Sequence, residues 1–194
     1  IVVAIHVLRG ISEIQHVLEE LRWRRPVALC YSTLYSRLTV AARRERTSWV
    51  AGDFVRVYSP PTRLLISGNN AEADAVRRVA EAAGYGVLSQ SERKFDFSEA
   101  ADAFSAIVLL HHDIEKEIPI FEAVLHSEVF YIGALGSERT HRERTRRLEM
   151  SGIERAQISR IKAPIGIFGP ARDSNSLARA IVADVAAARL ASVP

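Results

Sequence analysis

Beyond the proline pair Pro60-Pro61, short apolar runs alternate with longer segments of helical period, and that alternation admits few folds. Arg63 to Ser67, Val87 to Ser89, Ala106 to Leu110, Val129 to Ile132 and Ile165 to Ile167 read as strands. Between and after them, residues 71–83, 117–126, 137–150 and 174–190 read as helices. In the last of these, Leu177, Ile181, Val185 and Ala188 mark the inward face. Gly84 stops the first. The run from Ala106 to Leu110 is apolar throughout, as a strand covered on both faces requires. Strands taking turns with helices predict an α/β fold: a Rossmann-like parallel sheet flanked by helices.

Residues 1–59 follow another rule. Ile14, Val17, Leu18 and Leu21 have helical spacing, with Ser12 as the cap. Four short strands follow at 27–31, 38–40, 49–50 and 54–58, with a turn at Gly52-Asp53. A proline pair interrupts both helices and ladders, so the expected division is a small mixed α+β segment at 1–59 and a Rossmann-like domain at 60–194. At 194 residues, with 48% hydrophobic and 25% charged residues, the chain can bury a substantial core. The formal charge of +3 is local, at Arg43 to Arg46 and Arg139 to Arg147, with no basic run interleaved with aromatics, which argues against a nucleic-acid partner. No apolar run is long enough to span a bilayer. Cys30 is the single cysteine, which excludes an intramolecular disulfide and fits a reducing, cytoplasmic setting.

Four stretches could carry chemistry. Tyr131 to His141 reads as strand end, glycine turn and basic helix. Gly133 and Gly136 allow a tight turn with room for a ligand, Ser137 is the N-cap, and Arg139 lies in the first turn. Helix N-terminal amides beside guanidiniums suit a phosphate or carboxylate. The same helix also reads as a solvated face held by the i,i+4 pairs Glu138–Arg142 and Glu143–Arg147. Gly68, Asn70 and Ala73 stand where a dinucleotide fingerprint would have G-x-G-x-x-G/A, with Asn70 at the middle glycine and Glu92 as the acid for the ribose. His112 and Asp113 follow the central strand, where open sheets bind ligands, although Asp113 could equally cap the next helix. Arg172 precedes the last helix after a second glycine-rich turn, and could add to the anion site or bond a loop carbonyl.

Phe130 to His141, Arg147-Leu148, Ser151-Gly152, Ala163 to Gly166 and Ala171-Arg172 together resemble the C-terminal domain of the XdhC/CoxI family. Leu110 to Asp113 looks like that family's strand and His-Asp loop, and Tyr58 to Ile66 like its linker. The resemblance covers about residues 54 to 190. It implies an accessory protein, more chaperone than catalyst. Such a protein binds molybdenum cofactor (molybdopterin), helps a sulfurtransferase to sulfurate it, and inserts it into a molybdenum hydroxylase client such as xanthine dehydrogenase. It also implies a homodimer. The family's G-A-G-H turn is here Gly68-Asn69-Asn70-Ala71, and its Asp-Asp-Arg is Ser91-Glu92-Arg93. The family's glycine-rich cysteine motifs do not occur in residues 1–60. The expectation is therefore a divergent, shortened member. The alternatives are an NAD(P)-dependent oxidoreductase with a degenerate dinucleotide site, and a protein-binding relic without a small ligand.

Overall fold

A computed structural model describes residues 7, 10–41, 46–92, 94–169 and 171–192. Most of the basic cluster Arg43 to Arg46, and Arg93, lie outside the described residues. The chain divides into two compact units at Pro60–Pro61.

The first unit is one helix on an antiparallel sheet. Helix α1 (Ser12–Arg22) precedes β1 (Val27–Ser32), β2 (Arg37–Ala41), β3 (Ser48–Val50) and β4 (Asp53–Tyr58), in the order β2-β1-β4-β3. Val17 of α1 packs on Val27 and Leu29, which share a sheet face because side chains alternate along a strand. Two expectations are corrected here. Ser12 lies inside α1, whose cap position is Ile11, and its hydroxyl bonds Glu13 instead. The hairpin turn is Ala51-Gly52, at φ 51° and 90°, while Asp53 already pairs with Val50. A two-residue hairpin loop needs positive φ at both positions to match strand twist.

The second unit runs β5 (Arg63–Ser67), α2 (Ala71–Ala82), β6 (Gly86–Ser89), α3 (Phe97–Ala100), β7 (Ser105–Leu109), α4 (Ile114–Val124), β8 (Tyr131–Ala134), α5 (Glu138–Met150), α6 (Arg155–Ile158), β9 (Ile161–Lys162) and α7 (Ser174–Ser192). All five strands are parallel, in the order β6-β5-β7-β8-β9. Alternation sorts the core into two layers. Leu64, Ile66, Ala106 and Val108 face α2 and α7. Leu65, Ile107, Leu109 and Ile132 face the side of Phe121 in α4 and Leu148 in α5. Tyr131 donates to buried Asp184 at 2.7 Å, and Lys162 bonds the same carboxylate, tying α7 to β8 and β9.

The last strand is Ile161–Lys162, not 165–167. Pro164 lacks an N–H for a ladder, and Gly166 sits at φ +107°, outside strand geometry. Only Ile165 continues the pairing, donating to the Ala134 carbonyl at 3.2 Å. Helix α4 begins at Ile114, three residues before the expected start, because Asp113 caps it. Strand β8 runs to Ala134, so Gly133 lies within the strand and the turn begins at Leu135.

Candidate functional site

In a parallel sheet every strand ends at the same edge, so the loops after β5, β6, β7 and β8 lie side by side. The chain leaves β5 for β6 on one side and returns to β7 on the other. Ligand crevices form at such a reversal of strand order, outside the carboxyl ends of the two strands.

The loops after β5 and β7 touch. Gly68 has φ +149°, and a Cβ there would stand 3.0 Å from the Leu110 carbonyl oxygen. Asn70 joins the same two loops. Its Oδ1 accepts from Ala73 N at 2.9 Å, capping α2, and its Nδ2 donates to the Leu110 carbonyl at 2.7 Å. The residue at the fingerprint's missing glycine is thus a structural clamp.

Two hollows flank this clamp. One, of about 460 Å³, is lined by Gly68, Gln90, Ser91, Lys94 and Phe95. The other, of about 420 Å³, is lined by Asn70, Leu110, His112, Asp113 and Lys116. Asn69 and His111 line both. His111 is held from behind: its Nε2 lies 2.7 Å from the Ser67 hydroxyl, which donates to Gln90 Oε1 at 2.5 Å. With that hydroxyl proton committed to Gln90, Nε2 carries the ring proton and Nδ1 is left as an acceptor. Burial pushes the His111 pKa below its ordinary value, and Lys116 pushes it the same way; Asp113 opposes them. Burial and Lys116 thus both favour the neutral ring. Ser67 itself is fully buried, which suits it to orienting His111 rather than attacking a ligand.

Of the residues expected from sequence, Gly68, Asn70, His112 and Asp113 border this cleft. Asp113 is exposed and accepts from Glu115 N at 3.1 Å, the capping alternative. Glu92 ion-pairs with Arg77 of α2 at 3.3 Å, on the loop beside the first hollow. Sequence reasoning missed His111, Ser67 and Gln90 as a unit. A usable signal existed: Ser67 is the one polar residue at the end of an apolar strand, and His111 follows the neighbouring strand's last core residue.

The loop after β8 is one strand further along. Ser137 caps α5, accepting from Thr140 N at 3.3 Å, and Arg139 is exposed. Gly136 adopts φ +127°, with the Thr140 side chain closing over it. Gly133 leaves no room for a ligand at its Cα: a Cβ there would meet Ile165 Cδ1 at 2.6 Å and Tyr131 Cε1 at 2.7 Å. Gly133→Ala is expected to cost about 1–3 kcal/mol by overpacking, measured by urea denaturation. Of the two expected i,i+4 pairs, Glu143–Arg147 is present at 3.0 Å, and Arg147 also reaches Glu115. Arg172 is exposed just before α7, beside Asp173, whose carboxylate accepts from Ser176 N at 2.8 Å. Among the described residues, no three His, Cys, Asp or Glu side chains converge as metal ligands, and no helix is long and apolar enough to cross a membrane.

Comparisons with known proteins agree with this architecture. The chain is 38% identical over 195 residues to the molybdenum cofactor insertion chaperone PaoD of Escherichia coli (strain K12), across 98% of this chain and 60% of that protein. A solved structure described as a xanthine dehydrogenase from Bacillus halodurans superposes with a TM-score of 0.68 at 18% identity, across 95% of this chain and 66% of that one. At such identity the likeness concerns the fold alone. The chain thus spans under two thirds of the length of either protein. A family model described as the XdhC Rossmann domain matches residues 64–185. The chain belongs to the XdhC family, whose Rossmann domain forms its second unit.

Proposed function

We propose that this protein is an accessory factor in the maturation of molybdenum hydroxylases, holding molybdenum cofactor as cargo and delivering it to a xanthine-dehydrogenase-like client. The observation that carries the reading is the 38% identity to a molybdenum cofactor insertion chaperone along nearly the whole of this chain. The cleft's chemistry fits such a cargo. A pterin cofactor presents a phosphate and a flat ring rich in donors and acceptors. Lys116 and Lys94 offer positive charge, Asn69 and His111 offer polar contacts, and Phe95 offers an apolar wall. Gly68, Asn70, His112 and Asp113 shape this cleft. One strand further along, Ser137 and Arg139 offer an anion a capped helix N-terminus and a guanidinium, and Glu92, Gly136 and Arg172 stand on the neighbouring loops.

The cargo's molybdenum supplies redox chemistry only in the client. This chain's task is to hold, shield and release. The oxidoreductase alternative finds no support at Asn70, whose two hydrogen bonds occupy the position that the fingerprint leaves bare. A sulfurtransferase partner and a homodimer belong to the proposal, and light scattering on the purified protein reads the second directly.

Protein purified from cells that make the cofactor should release molybdopterin on acid extraction, detectable as its fluorescent oxidised pterin. It should also raise the activity of a cofactor-free hydroxylase when added with cofactor. Pterin no higher than from an unrelated Rossmann protein, together with an unchanged client, would defeat the reading.

A further inference from the structure

We propose that the first unit carries a docking surface for an acidic amphipathic helix of a partner protein, seated on β3 and β4 beside α1. The surface lies wholly in that unit, so it stands whatever cargo the second unit holds.

The sheet is wider than its cover. It has four strands. Four strands span about 15 Å from first to last. Packed helices lie about 8–10 Å apart, so such a face accepts two side by side. Among the described residues it holds one. Helix α1 lies against β1 and β2, where Val17 meets Val27 and Leu29. Register puts the β4 side chains on that same face: Tyr58 pairs with Val27, Arg56 with Leu29 and Phe54 with Tyr31, and Trp49 of β3 pairs with Phe54. A hollow of about 650 Å³ opens here, lined by Ile14 and Leu18 of α1 and by Phe54, Arg56 and Tyr58 of β4. Leu18 stays 53% exposed although it belongs to the helix's apolar stripe. Trp49 is 60% exposed and stacks on Phe54, at 5.2 Å between ring centroids. Apolar side chains left open along one groove mark a place where another chain docks.

Shape and charge select the occupant. Strand β4 has six residues. Such a strand is about 20 Å long, which matches a helix of about 13 residues. The apolar floor fits a stripe at helical spacing. Arg56 is exposed and lies over the Tyr58 ring, 5.8 Å from its centroid, and among the described residues no carboxylate pairs with it. Residues 1–60 hold nine arginines and five acidic residues, so the chain's excess positive charge lies in this unit. A carboxylate-bearing helix therefore complements the groove. The sheet already holds one helix of that kind, since α1 carries three glutamates against one arginine beside its apolar stripe. A second copy of this chain fits worse: its own α1 is already packed, and its first unit is equally basic.

Fluorescence anisotropy on the full chain tests this with a labelled peptide of about 16 residues, leucine along one helical face and glutamate elsewhere. A twin with lysine in place of glutamate is the comparison. The glutamate peptide should bind at least about tenfold more tightly than the twin. Arg56→Glu, at an exposed position, should weaken the glutamate peptide by at least about tenfold and strengthen the lysine one. Trp49→Ala should weaken both by about tenfold, with circular dichroism confirming the fold of each variant. Should Trp49→Ala fail to fold, Arg56→Glu still decides. No binding of the glutamate peptide at submillimolar concentration, equal binding of the twins, or affinities within about twofold of the parent in both variants would overturn the inference. A dimeric parent that becomes monomeric in Trp49→Ala and binds neither peptide would give this face to a second copy, which overturns it too.

Discussion

Arg144→Ala is expected to lower the stability of the second unit by about 3–5 kcal/mol. Arg144 lies in a helix with four other arginines, yet it alone among them is fully buried. Its Nε donates to Glu117 Oε2 at 2.8 Å, its Nη2 donates to the Leu135 carbonyl at 2.8 Å, and its guanidinium lies 5.8 Å from the Phe121 ring centre. One side chain therefore links α5 to α4 and holds the loop leading to Ser137. The pair is not ideal, since Glu117 Oε1 and Arg144 Nη1 are buried without a hydrogen-bond partner. Burial raises the Glu117 pKa, and the bond and charge of Arg144 pull it back. Removing Arg144 leaves Glu117 with burial alone, so it must take up a proton or draw in water. Replacing both partners with apolar residues avoids that cost. Arg144→Met with Glu117→Leu should then fall within about 1–2 kcal/mol of the parent, far from the sum of the single changes. Urea denaturation of the parent, Arg144→Ala, Arg144→Met, Glu117→Leu and the double variant measures these differences. A single Arg144→Ala loss below about 1 kcal/mol would show that the pair holds nothing together.

How far the sequence reaches can be seen from individual residues. The central strand was legible because Ala106 to Leu110 is apolar on both faces, which only a covered parallel strand explains. Ser137 as a cap was legible because capping is local, needing one hydroxyl and the helix behind it. Arg144 was not, because an arginine stripe looks solvated until one asks which members share a face with Leu148. Arg144 and Leu148 stand four residues apart, and both are buried. Gly133 was misread as a turn residue because its role is set by Ile165 and Tyr131, which come together only in the folded sheet. His111, Ser67 and Gln90 come from three different strand ends, and no spacing along the chain encodes their meeting. His112 and Asp113 drew attention as neighbours in sequence, but it is the preceding histidine whose ring meets Ser67.

Asn70→Ala is expected to cost about 2–4 kcal/mol, unusually much for a residue in a loop. Two losses add. The α2 cap is worth about 0.5–2 kcal/mol, because Oδ1 satisfies an amide that the helix leaves without a partner. The second bond, from Nδ2 to the Leu110 carbonyl, joins the ends of β5 and β7 across the cleft floor. Leu110 is fully buried, so its carbonyl loses a neighbour that water replaces poorly, a further cost of about 1–3 kcal/mol. Asp113→Ala is the comparison. It removes a similar cap at an exposed site, where water replaces the lost oxygen, and should cost only about 0.5–1 kcal/mol. Asn70→Gly sharpens the argument, because it rebuilds the glycine spacing of a dinucleotide fingerprint while removing the clamp. If the clamp is what this position provides, the glycine variant should be destabilised nearly as much as the alanine one, since glycine caps helices adequately but cannot bridge to Leu110. Calorimetry with NADH should show no gain. A glycine variant as stable as the parent that binds NADH at micromolar concentration would mean that Asn70 merely occupies a nucleotide site. Loss of stability without NADH binding would mean that this loop holds the cleft in shape.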